Sequence, residues 1–159
     1  MRVELTPVSA AAARILAGER PEDVAVPEDY PTEFSAGIAE AAEKGQALGP
    51  FFVRRGSDGL VVGKIGGELG EPGTAEIGYA VVESCAGRGY ATAAVLELIE
   101  LARGTDGIER LVAHAPLDRP ASSRVLEKAG FSAAGEVEDE HEGTVLRVLR
   151  WELDLGASG

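Results

Sequence analysis

A single cysteine, Cys85, means that this 159-residue chain forms no internal disulfide. That fits a reducing compartment. The chain also lacks any stretch of about 18 uninterrupted apolar residues, the length that a membrane helix needs. Its first residues, Met1-Arg2-Val3-Glu4-Leu5, hold no apolar run of signal-peptide length. A soluble cytoplasmic protein is expected. There is no surplus of positive charge: 15 Lys and Arg against 27 Asp and Glu leave a formal net charge of -12. This argues against nucleic acid as a partner, because phosphate backbones are held by basic surfaces. No internal repeat, low-complexity block or linker divides the chain. Its length suits one domain with a core that needs no staples, expected over 1–155, with a disordered tail at 156–159.

What the chain does contain is organised around residues 74–103. From Thr74 to Val82, β-branched and aromatic residues, alternating in Glu76-Ile77-Gly78-Tyr79, read as a strand. From Tyr90 to Arg103 the composition turns to Ala, Leu and Glu, and Val95, Leu98, Ile99 and Ala102 recur at helical spacing. Gly87 and Gly89 sit at the joint with Arg88 between them. A strand that feeds a helix through glycines makes an anion site. The first-turn N–H groups have no partner inside the helix, the helix dipole adds positive charge, and glycine lets a bulky anion approach. The expected guest is a phosphate or pyrophosphate, although Gly-x-Gly alone also marks plain turns. The Gly-Lys-Ser/Thr of a Walker loop is absent, and Thr92 stands where a dinucleotide fingerprint has its third glycine.

Elsewhere the pattern predicts a strand at 3–8, a helix at 10–17 capped by Ser9, a loop at 19–30 and a helix from about 31 to 47. Strands at 51–55 and 60–65 flank the hairpin turn Gly56-Ser57-Asp58-Gly59, and residues 66–73 read as a further turn. Past the central helix come a buried strand at 110–115, expected to lie parallel to 74–82, and a helix at 121–129 ended by Gly130. Strands at 131–137 and 144–153 then close the chain around an acidic loop, 138–143. Acidic residues crowd 19–33 and 136–142, whereas Arg88, Arg124 and Lys128 fall near the anion turn and the later helix. That division suits one anionic ligand and one cationic substrate, and also suits plain solvated loops.

The order β-α-α-β-β-β-α-β-α-β-β resembles the GNAT superfamily of acyl-CoA-dependent N-acetyltransferases, an α/β (α+β) fold. Two local signatures carry the resemblance. Glu76-Ile77-Gly78-Tyr79 followed by Ala86-Gly87-Arg88-Gly89-Tyr90-Ala91-Thr92 is similar to the family's Q/R-x-x-G-x-G/A loop, and Pro120-Ala121-Ser122-Ser123-Arg124-Val125-Leu126-Glu127-Lys128-Ala129-Gly130-Phe131 is similar to its N-x-x-S…E-K-x-G-F ending. The chain looks closest to the branch that acetylates ribosomal-protein N-termini. The resemblance implies a central, mostly antiparallel sheet of about seven strands, with a V-shaped splay between the fourth and fifth. It implies acetyl-CoA as co-substrate, with Gly87, Arg88, Gly89, Tyr90, Ala91 and Thr92 at its pyrophosphate and free main-chain groups of Val81 and Val82 along its pantetheine arm. It further implies an amine acceptor, a homodimer, and no metal.

Direct transfer needs a base for the acceptor ammonium and a donor for the developing charge. Glu76 is the leading base, on a strand where family members often carry a carboxylate; a Glu beside Ile77 in an alternating strand also suits a plain solvent-facing role. His114 is the rival, and His141 lies in the acidic loop. Cys85, at a helix start, has no triad partner at a recognisable spacing. Tyr79, Phe131 and Trp151 read as core. Three positions depart from the family: Ala86 replaces Gln or Arg, Arg119 replaces Asn, and Leu126 stands where other branches carry a Tyr acid, leaving Ser122 or Ser123 to donate the proton. These departures also suit a non-catalytic acyl-CoA-binding or regulatory module, and a domain that acts mainly by pairing with other subunits is a third reading.

Overall fold

The computed structural model describes residues 3–7, 48–117, 120–141 and 143–155. The helices expected at 10–17 and 31–47, Arg119 and the tail 156–159 lie outside the described residues. Among the described residues seven strands form one sheet: β1 (Val3–Pro7), β2 (Leu48–Arg55), β3 (Val61–Leu69), β4 (Thr74–Val81), β5 (Arg110–Pro116), β6 (Ser132–His141) and β7 (Thr144–Asp154). Two α-helices accompany them among the described residues, α1 (Tyr90–Arg103) and α2 (Pro120–Lys128). The spatial order is β1-β2-β3-β4-β5-β7-β6. Every neighbouring pair is antiparallel except β4 and β5.

Register shows which face is buried. Directly opposite residues share a face, and the pairs Ile65↔Tyr79, Gly67↔Ile77, Ala75↔Leu111 and Ala113↔Trp151 put one apolar set on one side of the sheet. The apolar stripe of α1, namely Ala94, Val95, Leu98, Ile99 and Ala102, packs into the same buried cluster as Ile65, Ala75, Ile77, Leu111 and Trp151. The opposite face of β4 shows Glu76 and Gly78, both exposed. Burying a Leu or Ile side chain is worth about 1.5–3 kcal/mol, so this stripe sets the side on which α1 lies.

The sheet departs from the sequence reading in two places. Residues 66–73 are not a turn throughout. β3 runs on to Leu69, and the turn is confined to the Gly70–Thr74 step, closed by Thr74 N–H donating to Glu71 O at 2.9 Å. Gly67 serves close packing inside a strand: a Cβ there would meet Leu48 at 3.1 Å and Ile77 at 3.4 Å. The acidic segment expected as a loop over 138–143 is mostly strand, with Glu138 opposite Arg147 and His141 opposite Thr144. A cross-strand pair of opposite charge offsets the poor strand propensity of Glu. The turn at 56–59 forms as the sequence indicates, and Asp58 accepts from Leu60 N–H and pairs with Arg55.

Candidate active site

β4 and β5 stay paired for only three steps, Thr74↔Arg110, Ala75↔Leu111 and Glu76↔Val112. Beyond them β4 continues to Val81 along β3, and β5 continues to Pro116 along β7. The two strands therefore part into a wedge. The direction of the main-chain groups follows from the ladder. Val82 N–H donates to Val62 O at 2.8 Å, and bonded and non-bonded pairs alternate along an antiparallel ladder. Ala80 and Gly78 thus share the bonded phase with β3, while Ile77, Tyr79 and Val81 aim their N–H and C=O groups at β5. Past the Glu76↔Val112 bridge, which uses Ile77 N–H, no described strand pairs with Tyr79 or Val81 on that side. Val82 was expected to offer free groups alongside Val81, and this fails. Its N–H is used by Val62, its carbonyl accepts Cys85 N–H at 2.8 Å, and its side chain is fully buried.

A cleft of about 500 Å³ opens from the wedge toward α1. Tyr79, Ala80 and Val81 of β4 line one wall, Cys85, Ala86, Gly87 and the stretch from Gly89 to Thr92 line the end, and Ser122, Arg124, Val125 and Lys128 of α2 line the other wall, while Arg88 does not line it. At the end wall Gly87 has φ 76° and Gly89 φ 86°. Both lie in the left-handed region, which costs an L-residue with a Cβ roughly 1–2 kcal/mol. Gly89 is the N-cap of α1 and supplies no side-chain cap. The first-turn N–H groups therefore face outward with no protein acceptor from the cap. Space around Gly87 is open, with no heavy atom within 4 Å of an added Cβ. This turn fits a pyrophosphate. Arg88 is exposed on it, and Arg124 and Lys128 bring two more cations from α2 to the same cleft. Tyr90 is buried behind the turn. Its hydroxyl and Asp58 together hold the Arg55 guanidinium well above its ordinary value.

Other candidates fall around the wedge. Glu76 lies where the strands part, and its Oε1 is 2.8 Å from His114 Nδ1. Ser122 lines the cleft, and its main-chain carbonyl accepts the Tyr79 hydroxyl at 3.1 Å. Leu126 is 1% exposed and belongs to the core. Cys85 is buried at the foot of the cleft. Phe131 and Trp151 are core residues, as their sequence setting implies. Tyr79 is not simply core. It lines the cleft, ties β4 to α2 across 43 residues of sequence, and has its phenol pushed up to about 12 by burial. Period-two alternation with Ile77 shows which face Tyr79 takes, but nothing local reveals that this face ends in a cleft.

Comparison with known proteins was made on the whole chain. A family model described as an acetyltransferase (GNAT) domain matches residues 2–132. No curated protein matches. Among solved structures, RimL, a ribosomal-protein alpha-N-acetyltransferase in complex with coenzyme A, is 18% identical with a TM-score of 0.71, covering 97% of this chain and 94% of that one. Mycobacterium smegmatis RimJ in complex with CoA-disulfide is 23% identical with a TM-score of 0.70, over 96% and 81% of the two chains. A chimera of the spermidine N-acetyltransferase SpeG from Vibrio cholerae and hSSAT is 17% identical with a TM-score of 0.71, over 98% and 96%. At these identities the likeness is one of fold.

Proposed function

The chain belongs to the GNAT acetyltransferase family, and from that premise we propose that it transfers acetyl from acetyl-CoA directly to a primary amine, that of a protein N-terminus or a small cationic molecule. Acetyl-CoA is the co-substrate of the family. The single observation that supports its place here is the wedge. Two strands part beside a glycine turn that presents uncapped N–H groups, in a cleft with Arg124 and Lys128 on its far wall.

In this reading the N–H groups of Gly87, Arg88, Gly89, Tyr90 and Ala91 receive the pyrophosphate, with Thr92 beside them and charge from Arg88. The main-chain groups of Tyr79 and Val81 pair with the pantetheine arm as a further strand would; Tyr79 takes the place first assigned to Val82. Glu76 receives the proton of the acceptor ammonium, directly or through a water. Ser122, on the first turn of α2, is the hydroxyl for the leaving sulfur, since the buried Leu126 offers none. RimL as a ribosomal-protein acetyltransferase, and SpeG as a spermidine acetyltransferase, support the two acceptor classes. The net charge of -12 favours a cationic acceptor over an anionic one. A single catalytic domain over 1–155, a cytoplasmic location consistent with one cysteine, and a homodimer belong to the same reading.

The test is thermal melting with and without acetyl-CoA, for the natural chain and for Arg88→Glu, followed by an amine screen that reads free thiol. Ligand at about 100 times its Kd stabilises by roughly 2.7 kcal/mol. At about 2–4 °C per kcal/mol for this size, the melting temperature rises by about 5–11 °C. Arg88→Glu is expected to lose most of that rise. No rise in the natural chain at millimolar acetyl-CoA would refute the proposal.

A further inference from the structure

The sheet face turned away from α1 carries polar side chains that converge where the wedge begins. Glu76 is the last β4 residue in register with β5, opposite Val112. His114 is two residues beyond Val112 and so on the same face. Its Nδ1 stands 2.8 Å from Glu76 Oε1, with the Glu76 side chain 56% exposed and that of His114 19%. The contact therefore spans the apex of the wedge diagonally, at the point where main-chain pairing between β4 and β5 ends. Among the described residues neither Nδ1 nor Nε2 has a hydrogen bond, although both are buried. A buried polar group without a partner needs a reason, and the Glu76 carboxylate is the group within reach of Nδ1.

We propose that His114 is a positioning residue for acetyl transfer, holding the Glu76 carboxylate at the apex of the wedge and setting when it can take a proton. This rests on the acetyltransferase reading and on Glu76 as base. Glu76 takes one proton from the acceptor ammonium, and the nitrogen so freed forms its bond to the acetyl carbon. The carbon–sulfur bond breaks with the electron pair on sulfur, the second nitrogen proton passes to that sulfur by way of Ser122, and the exposed Glu76 returns its proton to solvent. Beside a neutral imidazole the carboxylate accepts; beside an imidazolium it is held in an ion pair and is a weaker base. Among the described residues, Glu68 on β3 lies opposite Glu76, with Lys64 on the same strand and face. Arg150 on β7 lies opposite His114, tied to Glu152 at 2.7 Å. Arg110, on the same face of β5, is held by Asp154 at 2.8 Å.

The chain has two histidines, so imidazole NMR resolves the pair directly, with His114→Gln to assign the signals. At fixed pH the ring signals of His114 are expected to move in Glu76→Gln, as the 2.8 Å contact requires. In His114→Gln, kcat/KM for the amine is expected to fall about tenfold near pH 8, short of the roughly 10²–10⁴ that loss of the base itself costs. The acidic limb of its pH profile moves to lower pH, and the melting shift with acetyl-CoA is unchanged. Unmoved His114 ring signals in Glu76→Gln, or an unmoved acidic limb in an active His114→Gln, overturn the role of His114 and leave the acetyltransferase reading standing. Absence of acetyl-CoA-dependent turnover in the natural chain, with every amine tried, overturns both.

Discussion

Gly63→Ala tests how the cleft wall is built. Gly63 lies opposite Val81 where β3 supports the free stretch of β4. A Cβ at this position would stand 2.3 Å from Ala80 O and 3.1 Å from Val81 Cα, where real Cβ contacts essentially never fall below 3.0 Å. Both obstacles are main chain, so no rotamer relieves them, and the strands must part by roughly 0.7 Å to reach that limit. Overpacking of this kind costs about 1–3 kcal/mol. At about 2–4 °C per kcal/mol, the melting temperature falls by about 2–12 °C. Ala80 and Val81 also line the cleft, so the rise in melting temperature with acetyl-CoA shrinks as well. Gly78→Ala is the matched control. It lies on β4 with no heavy atom within 4 Å of its Cβ and no positive φ. There the loss of freedom in the unfolded chain is worth about 0.4–1 kcal/mol, and the melting temperature stays or rises. Circular-dichroism melts of the three proteins, with and without acetyl-CoA, decide the matter. A Gly63→Ala protein that melts with the natural one and keeps its full acetyl-CoA shift would refute the claim that this glycine sets the spacing of β3 and β4.

Tyr79→Phe removes the hydroxyl that bridges β4 to the Ser122 carbonyl on α2; a neutral hydrogen bond is worth about 0.5–1.5 kcal/mol, so a drop of about 1–6 °C is expected, and the difference in phenol absorbance between the two proteins should titrate near 12 rather than near 10. Asp58 is held down to about 2, first by its hydrogen bonds with Arg55 and then by Leu60 N–H. A carboxylate depressed in the folded state adds stability above its unfolded value of about 3.9, and that stability is lost as pH falls toward 2. The pair is exposed, so its effect is small, but urea melts of the natural chain and Asp58→Asn should differ at pH 7 and converge at pH 2.

The elements near the site were legible because each rests on a local signal. Hydrophobic spacing placed α1, Gly87 and Gly89 placed its entry turn, and Gly56-Ser57-Asp58-Gly59 placed a hairpin. Glycine misled at 66–67, where the same residue that opens turns also permits strands to approach Leu48 and Ile77. Acidic composition misled at 138–141, where pairing with Arg147 and its neighbours outweighs propensity. Val82 was misassigned for a similar reason, because a residue's free main-chain groups depend on which phase of the ladder it occupies, and that phase is a property of two strands together.

The amino-acid sequence by itself determined the order of the described strands and helices and the position of the glycine turn, since both depend on contacts between residues close in the chain. Only the tertiary structure decided that β4 and β5 release each other after Glu76, that Arg124 and Lys128 face the same cleft as that turn, that Tyr79 reaches α2, and that His114 meets Glu76 over the apex. Those are contacts between residues far apart in sequence, set by sheet order, register and the side on which each helix packs, and no local pattern encodes them.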